Sequence, residues 1–255
     1  MIFNKDKSFC FIHIPKNGGM FIRDALNKID GMIIFNGLRQ VNDKYIDFSH
    51  LTLDFLKNNY PKIFKRIITY EIVAIWRDPV DRFHSAMAQH IRNYKKIDFF
   101  NLTKEEYKAL CLEKLEEIKH IQANNIAYDY ENIHFAPQTQ FTCHDNKQIV
   151  CNLYDIKHIE TLSDKIKSKF FNQKIDFKGT KVNQSFVYKF RFNSNAAKIL
   201  RFFYNLVPQY FRKSLKKLIG YFLFTTPKNK FEIENLSINK HIRNFYKEDY
   251  TLSRK

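Results

Sequence analysis

The chain has 255 residues, 44% apolar and 27% charged, which is the make-up of a folded chain with a sizeable core and excludes a disordered one. No apolar run approaches the ~20 residues of a membrane span. The four cysteines (Cys10, Cys111, Cys143, Cys151) lack metal-ligand spacing and read as buried, reduced thiols. The net charge is +17, and +10 of it falls between Lys189 and Lys230, where no acid occurs.

In chain order, Ser8 to Ile14 is a short apolar run stopped by a Pro-Lys-Asn-Gly-Gly turn. It predicts a buried strand, then a helix over about Met20 to Ile29 with Phe21, Ala25 and Ile29 on one face. Met32 to Phe35 is a second short strand, and His50 to Lys57 a helix or turn. Glu71 to Trp76 (EIVAIW) reads as another buried strand closed by Arg-Asp-Pro, with Pro79 opening a helix to about Arg92. Thr103 and Glu106 form a capping box before a long helix reaching His120. A strand over Ile149 to Ile156 and a helix over Thr161 to Phe171 follow. Strand and helix alternate, so the expected class is α/β, with a central parallel sheet flanked by helices and a single domain over 1–255.

Two segments carry anion-binding chemistry. In FIHIPKNGGMFI, Gly18 and Gly19 let the backbone approach a phosphate, the following helix turns free N–H groups toward it, and Lys16 adds a full charge. No Gly-Lys-Ser/Thr follows the glycines, so this is neither a Walker loop nor a GxGxxG turn. In VAIWRDPVDRFHSAMAQHIR, Arg77 ends a strand and Ser85 lies one to two turns into the next helix, a pairing that suits a second, separate phosphate. Asp78 and Asp81 are placed to orient Arg77 and Arg82 or to cap that helix. Each segment alone has a plain structural explanation. Their joint occurrence points to a ligand with two anionic groups.

HIPKNGG is similar to the 5′-phosphosulfate loop of sulfotransferases, usually HIPKTGGTS, and RDPVDRFHSA resembles their 3′-phosphate motif, RDPVxRxxS. HFAPQTQF (His134 to Phe141) is similar to the HxxPQ segment of carbohydrate sulfotransferases, and KVNQS (Lys181 to Ser185) to a late loop near the nucleotide. The resemblance covers roughly residues 8 to 185. It implies a P-loop-like sulfotransferase fold, 3′-phosphoadenosine 5′-phosphosulfate (PAPS) as donor, and no metal. Carried over, Lys16, Asn17, Gly18 and Gly19, with the backbone of Met20 and Phe21, hold the 5′-phosphosulfate. Arg77 and Ser85 hold the 3′-phosphate, and Asn183 and Ser185 lie near the nucleotide. The sequence departs from the family where Asn17 replaces Thr and where Met20 and Phe21 replace hydroxyl residues, so backbone N–H groups must do more.

Sulfuryl transfer needs a base for the acceptor hydroxyl. DFSHLTLDFL resembles a region of the uronyl 2-O-sulfotransferases in which the histidine at the position of His50 is the base, and Lys16 is placed to stabilise the leaving side. His134, Gln138 and Gln140 are expected to line the acceptor site, a glycan or glycolipid. His13 reads as a core histidine, and His84 as pointing away from the site.

Residues 190–224 mix apolar and basic side chains at helical spacing, as a basic amphipathic segment on an anionic membrane surface would. No groove-reading motif accompanies them, so nucleic acid is not expected. With no signal peptide, the expected location is the cytoplasm, peripheral at the inner face of the membrane. Two other readings stay open: an ATP-dependent P-loop-like kinase, and a non-catalytic basic membrane- or nucleic-acid-binding protein on the same scaffold.

Overall fold

The computed structural model describes residues 1–95, 97, 102–170, 187–188, 224–225 and 236–255. The 190–224 segment, apart from a short pairing of Val187–Tyr188 with Phe224–Thr225, lies outside the described residues, as do Asn183 and Ser185.

The first strand, β1 (Ile2–Asn4), forms an antiparallel pair with β2 (Phe9–Ile12). The Pro-Lys-Asn-Gly-Gly turn then leads into α1 (Met20–Leu26), and β3 (Met32–Ile34) returns to the far side of β1. A hairpin of β4 (Leu38–Val41) and β5 (Lys44–Asp47) precedes α2 (Leu53–Asn59) and α3 (Pro61–Ile67). Next come β6 (Glu71–Trp76), α4 (Pro79–His90) with a π-helical extension over Ile91–Lys95, and α5 (Lys104–Ala123). After α6 (Thr139–Thr142) and the small hairpin β7 (Cys143–His144) and β8 (Lys147–Gln148) come β9 (Asn152–Asp155) and α7 (Ile159–Lys169). The last helix is α8 (Ile238–Phe245).

The central sheet runs β3-β1-β2-β6-β9, with β2, β6 and β9 parallel. The expected α/β class with a mostly parallel sheet between helices is what is observed. Along β6 the side chains alternate between two cores, Ile72, Ala74 and Trp76 facing one and Val73 and Ile75 the other. That is the signature of a strand covered on both sides. The larger core lies under α2 to α5 and α8, and the smaller is closed by α1 and α7.

Several elements match their sequence signals closely. β6 has the expected bounds, and the Thr103–Glu106 capping box is formed in both directions. The late strand is shorter than expected because the N–H groups of Ile149 and Val150 turn to the Thr142 carbonyl. The thiols need one correction. Cys10 and Cys111 are buried, whereas Cys143 is half-buried and Cys151 exposed; all four are free. Among the described residues no helix is long and apolar enough to cross a membrane.

Candidate active site

The two segments expected to bind anions meet at one end of the parallel strands. The loop after β2 bends through two left-handed residues, Lys16 (φ 66°) and Gly18 (φ 75°). Gly19 caps α1, and a Cβ there would lie 2.6 Å from the His13 ring. The loop is therefore packed tightly onto the end of its own strand. No side chain caps α1 and its first turn holds no acid.

Arg77 reaches across from the end of β6, its Nη1 donating to the Lys16 carbonyl at 3.0 Å. On α4, Asp81, Ser85 and Gln89 form a half-buried stripe on the helix that Arg77 leads into, while Arg82, Phe83 and His84 are buried. Asp78 is the helix cap, accepting from the N–H groups of Val80 and Asp81. Arg82 turns inward and donates to the carbonyls of His134 and Ala136, which fixes the HFAPQ segment. His84 is held between Tyr107 and Asn239, away from the site as expected.

Behind the loop sits a fully buried brace. Asn17 is 1% exposed, and its amide donates to the Ile75 carbonyl (2.5 Å) and to Gln138 Oε1 (2.7 Å). Gln138 Oε1 also accepts from the Arg77 N–H, and Gln138 Nε2 donates to the Arg77 carbonyl. The Asp249 carboxylate accepts from the N–H groups of Gln138 and Thr139 at 3.0 and 2.9 Å, while Trp76 Nε1 donates to the Asp249 carbonyl. Burial pushes the Asp249 carboxyl up, and Arg82 and these donors pull against that shift. The expectation that Gln138 binds acceptor hydroxyls is thereby corrected: it is wholly buried and both ends of its amide are engaged. Asn17 likewise turns its side chain into the protein, leaving only its backbone to the loop.

In front of the loop the contacts are looser. Lys16 Nζ donates to Gln89 Oε1 at 2.9 Å, and Gln89 Nε2 lies 3.5 Å from His134 Nε2. The His134 ring meets that of His50 at 5.6 Å between centroids, and His50 packs on His13 at 4.4 Å. His50 Nδ1 is 2.9 Å from the His13 carbonyl. A carbonyl only accepts, so Nδ1 carries the proton and Nε2 keeps its lone pair. Asp47 Oδ2 lies 3.9 Å from that Nε2.

The electrostatics follow from crowding of cations and imidazoles. Burial, then Arg77 and Arg92, pull the Lys16 ammonium down to about 8. Burial lowers His50 to about 4 against the opposing pull of Asp47, and lowers His134 to about 3 with help from His50 and Lys16. His13 is driven well below its ordinary value by burial and by His50. It is the core histidine expected, with Nδ1 left unpartnered. Arg77 is lowered by burial while Asp81 and Asp78 support its charge. An anion placed among Lys16, Arg77 and Arg92 would relieve their mutual repulsion, so the residues present fit an anionic ligand.

A model describing the sulfotransferase family matches residues 1–222. The chain belongs to that family. No curated protein and no solved structure matches this sulfotransferase-family chain. Sequence reasoning missed Gln89, Asp47 and Asp249 at the site. Gln89 had a signal, since it continues the helical face of Asp81 and Ser85 by one further turn; Asp249 had none near it in sequence.

Proposed function

We propose that this sulfotransferase-family protein moves a sulfuryl group from PAPS to a hydroxyl of a glycan or glycolipid. The observation that carries the reading is the bond between Arg77 and the Lys16 carbonyl, which brings the two phosphate motifs into one site. Lys16 and the backbone of 17–21 hold the 5′-phosphosulfate, and Arg77 and Ser85 hold the 3′-phosphate. The donor supplies an activated sulfur: a bond forms from the acceptor oxygen to sulfur as the sulfur–oxygen bond to the nucleotide phosphate breaks. His50 Nε2 takes the acceptor's proton, and Asp47 then faces the imidazolium. Lys16 Nζ, released from Gln89, meets the charge growing on the leaving oxygen. His134 and Gln140 stand on the acceptor side. A cytoplasmic location with peripheral membrane contact through 190–224 belongs to the same reading and would suit a lipid-linked acceptor.

Calorimetric titration with 3′-phosphoadenosine 5′-phosphate (PAP), ADP and ATP, with and without Mg²⁺, tests it. The expected outcome is metal-independent binding of PAP well above ADP, weakened by about 10- to 100-fold in Arg77→Ala, the loss of a charged hydrogen bond. A preference for ATP with Mg²⁺ would overturn the reading in favour of kinase-type chemistry. Absence of binding to all three would point to a scaffold without donor chemistry.

A further inference from the structure

A cavity of about 450 Å³ opens between the β4–β5 hairpin, α2 and the C-terminal end of α5, with His50 in its wall. Gln140 lines it, whereas Gln138 and Lys16 do not. His50 is thus shared between this cavity and the Lys16–Gln89–His134 line.

The lining chemistry is unlike the rest of the chain. Although the whole protein carries +17, the described residues around this cavity include no arginine. Its ionic groups are Asp43 and Asp54 against Lys44, whose Nζ donates to the Ala127 carbonyl. Asp47 stands 3.9 Å from His50 Nε2, and His144 lies 3.7 Å from Asp54. Six amides (Asn42, Asn58, Asn59, Gln122, Asn125 and Gln140) complete the polar lining, and Phe55 and Tyr128 add aromatic surface. Amides both donate and accept, which matches hydroxyls, and the aromatic rings offer apolar surface for the C–H groups of a sugar. A carboxylate on the ligand would meet two lining acids, Asp43 and Asp54, against a single lysine that already gives one bond to a carbonyl.

We propose that this cavity is the acceptor pocket and that it takes an uncharged sugar in preference to one bearing a carboxylate. The inference rests on the sulfuryl-transfer reading for the fate of the sugar, and on the cavity alone for its selectivity.

The test is an NMR titration of the full chain at pH 8, where an imidazole is ordinarily neutral. The probes are methyl N-acetylglucosaminide and methyl glucuronide, each with and without PAP. The neutral glycoside should bind at least about tenfold more tightly, as expected for one unfavourable charge contact near the surface. Asp43 and Asp54 are exposed, so Asp43→Lys with Asp54→Lys should fold normally. That variant should raise glucuronide affinity about tenfold while leaving the neutral probe within about threefold. Gln122→Ala and Gln140→Ala should each weaken the neutral probe. Equal or tighter glucuronide binding by the unaltered chain, or indifference of the neutral probe to both glutamine variants, would overturn the inference. Failure of PAP to bind would sink the donor reading instead, and the PAP-free titrations would still decide the pocket.

Discussion

The space behind the glycine-bearing loop and the space in front of it are built on opposite terms. Behind, Asn17, Gln138 and Asp249 are buried and joined by bonds of 2.5 to 3.1 Å. In front, Gln89 and His134 meet at 3.5 Å and Asp47 and His50 at 3.9 Å, and the imidazoles there are held far below their ordinary protonation range by burial. A buried hydrogen-bonded network fixes geometry even where one atom, Asn17 Oδ1, has no partner, whereas imidazoles with displaced pKa values remain free to act on a ligand. On the proposed reading, the wall supports and the front reacts.

If that division holds, variants should separate cleanly into two kinds. The largest effect is expected at His50, where His50→Gln keeps a donor for the His13 carbonyl but offers no imidazole base. Turnover should fall by about 10²- to 10⁴-fold, with PAP affinity unchanged and unfolding free energy within about 1 kcal/mol. A comparable loss of PAP binding would erase the distinction between front and wall.

Asp249→Ala should do the reverse. It strands the buried N–H of Gln138 and the half-buried N–H of Thr139, so urea unfolding should show a loss of about 3 kcal/mol. Donor affinity should fall with it, although Asp249 touches no ligand group. A stable Asp249→Ala protein would show that the wall is not held from this side.

The third effect is a pH dependence that belongs to the front. The folded-state values of His50 and His134 are depressed to about 4 and about 3, against 6.5 for an unperturbed imidazole. Between those values the unfolded chain binds more protons than the folded one, so stability rises with pH there. It should be fully present above about 6.5 and decline toward pH 4, by up to about 1.4 kcal/mol per pH unit for each histidine. Thermal melts from pH 8 to pH 4 measure this, and His50→Gln should flatten the slope.

The contrast also explains what was legible in the sequence. HIPKNGG and RDPVDRFHSA are local patterns, and the fold places both at the ends of adjacent parallel strands, where they were expected. β6 could be read because five consecutive residues, Ile72 to Trp76, are apolar enough to be covered on both faces. The β4–β5 hairpin was missed since Leu38, Arg39 and Gln40 are all exposed and show no alternation. α3 went unread despite Pro61 at its first position, a usable start signal. Gln138 was misassigned because proximity in sequence to a sugar-site motif says nothing about which way an amide points. Its true partners, Asn17 and Asp249, lie 121 and 111 residues away.

Those separations bear on how the molecule acquires its shape. Trp76 meets Asp249 across 173 residues, His84 meets Asn239 across 155, and Tyr246 meets Phe135 across 111. Contacts of such span raise the mean sequence separation of the fold, a property that goes with slow folding. The segment behind the glycine-bearing loop is thus held by residues more than a hundred positions further along the chain. Loosening the 236–255 region would remove the carboxylate that anchors Gln138 and Thr139 while leaving the glycines and Lys16 of the loop in place.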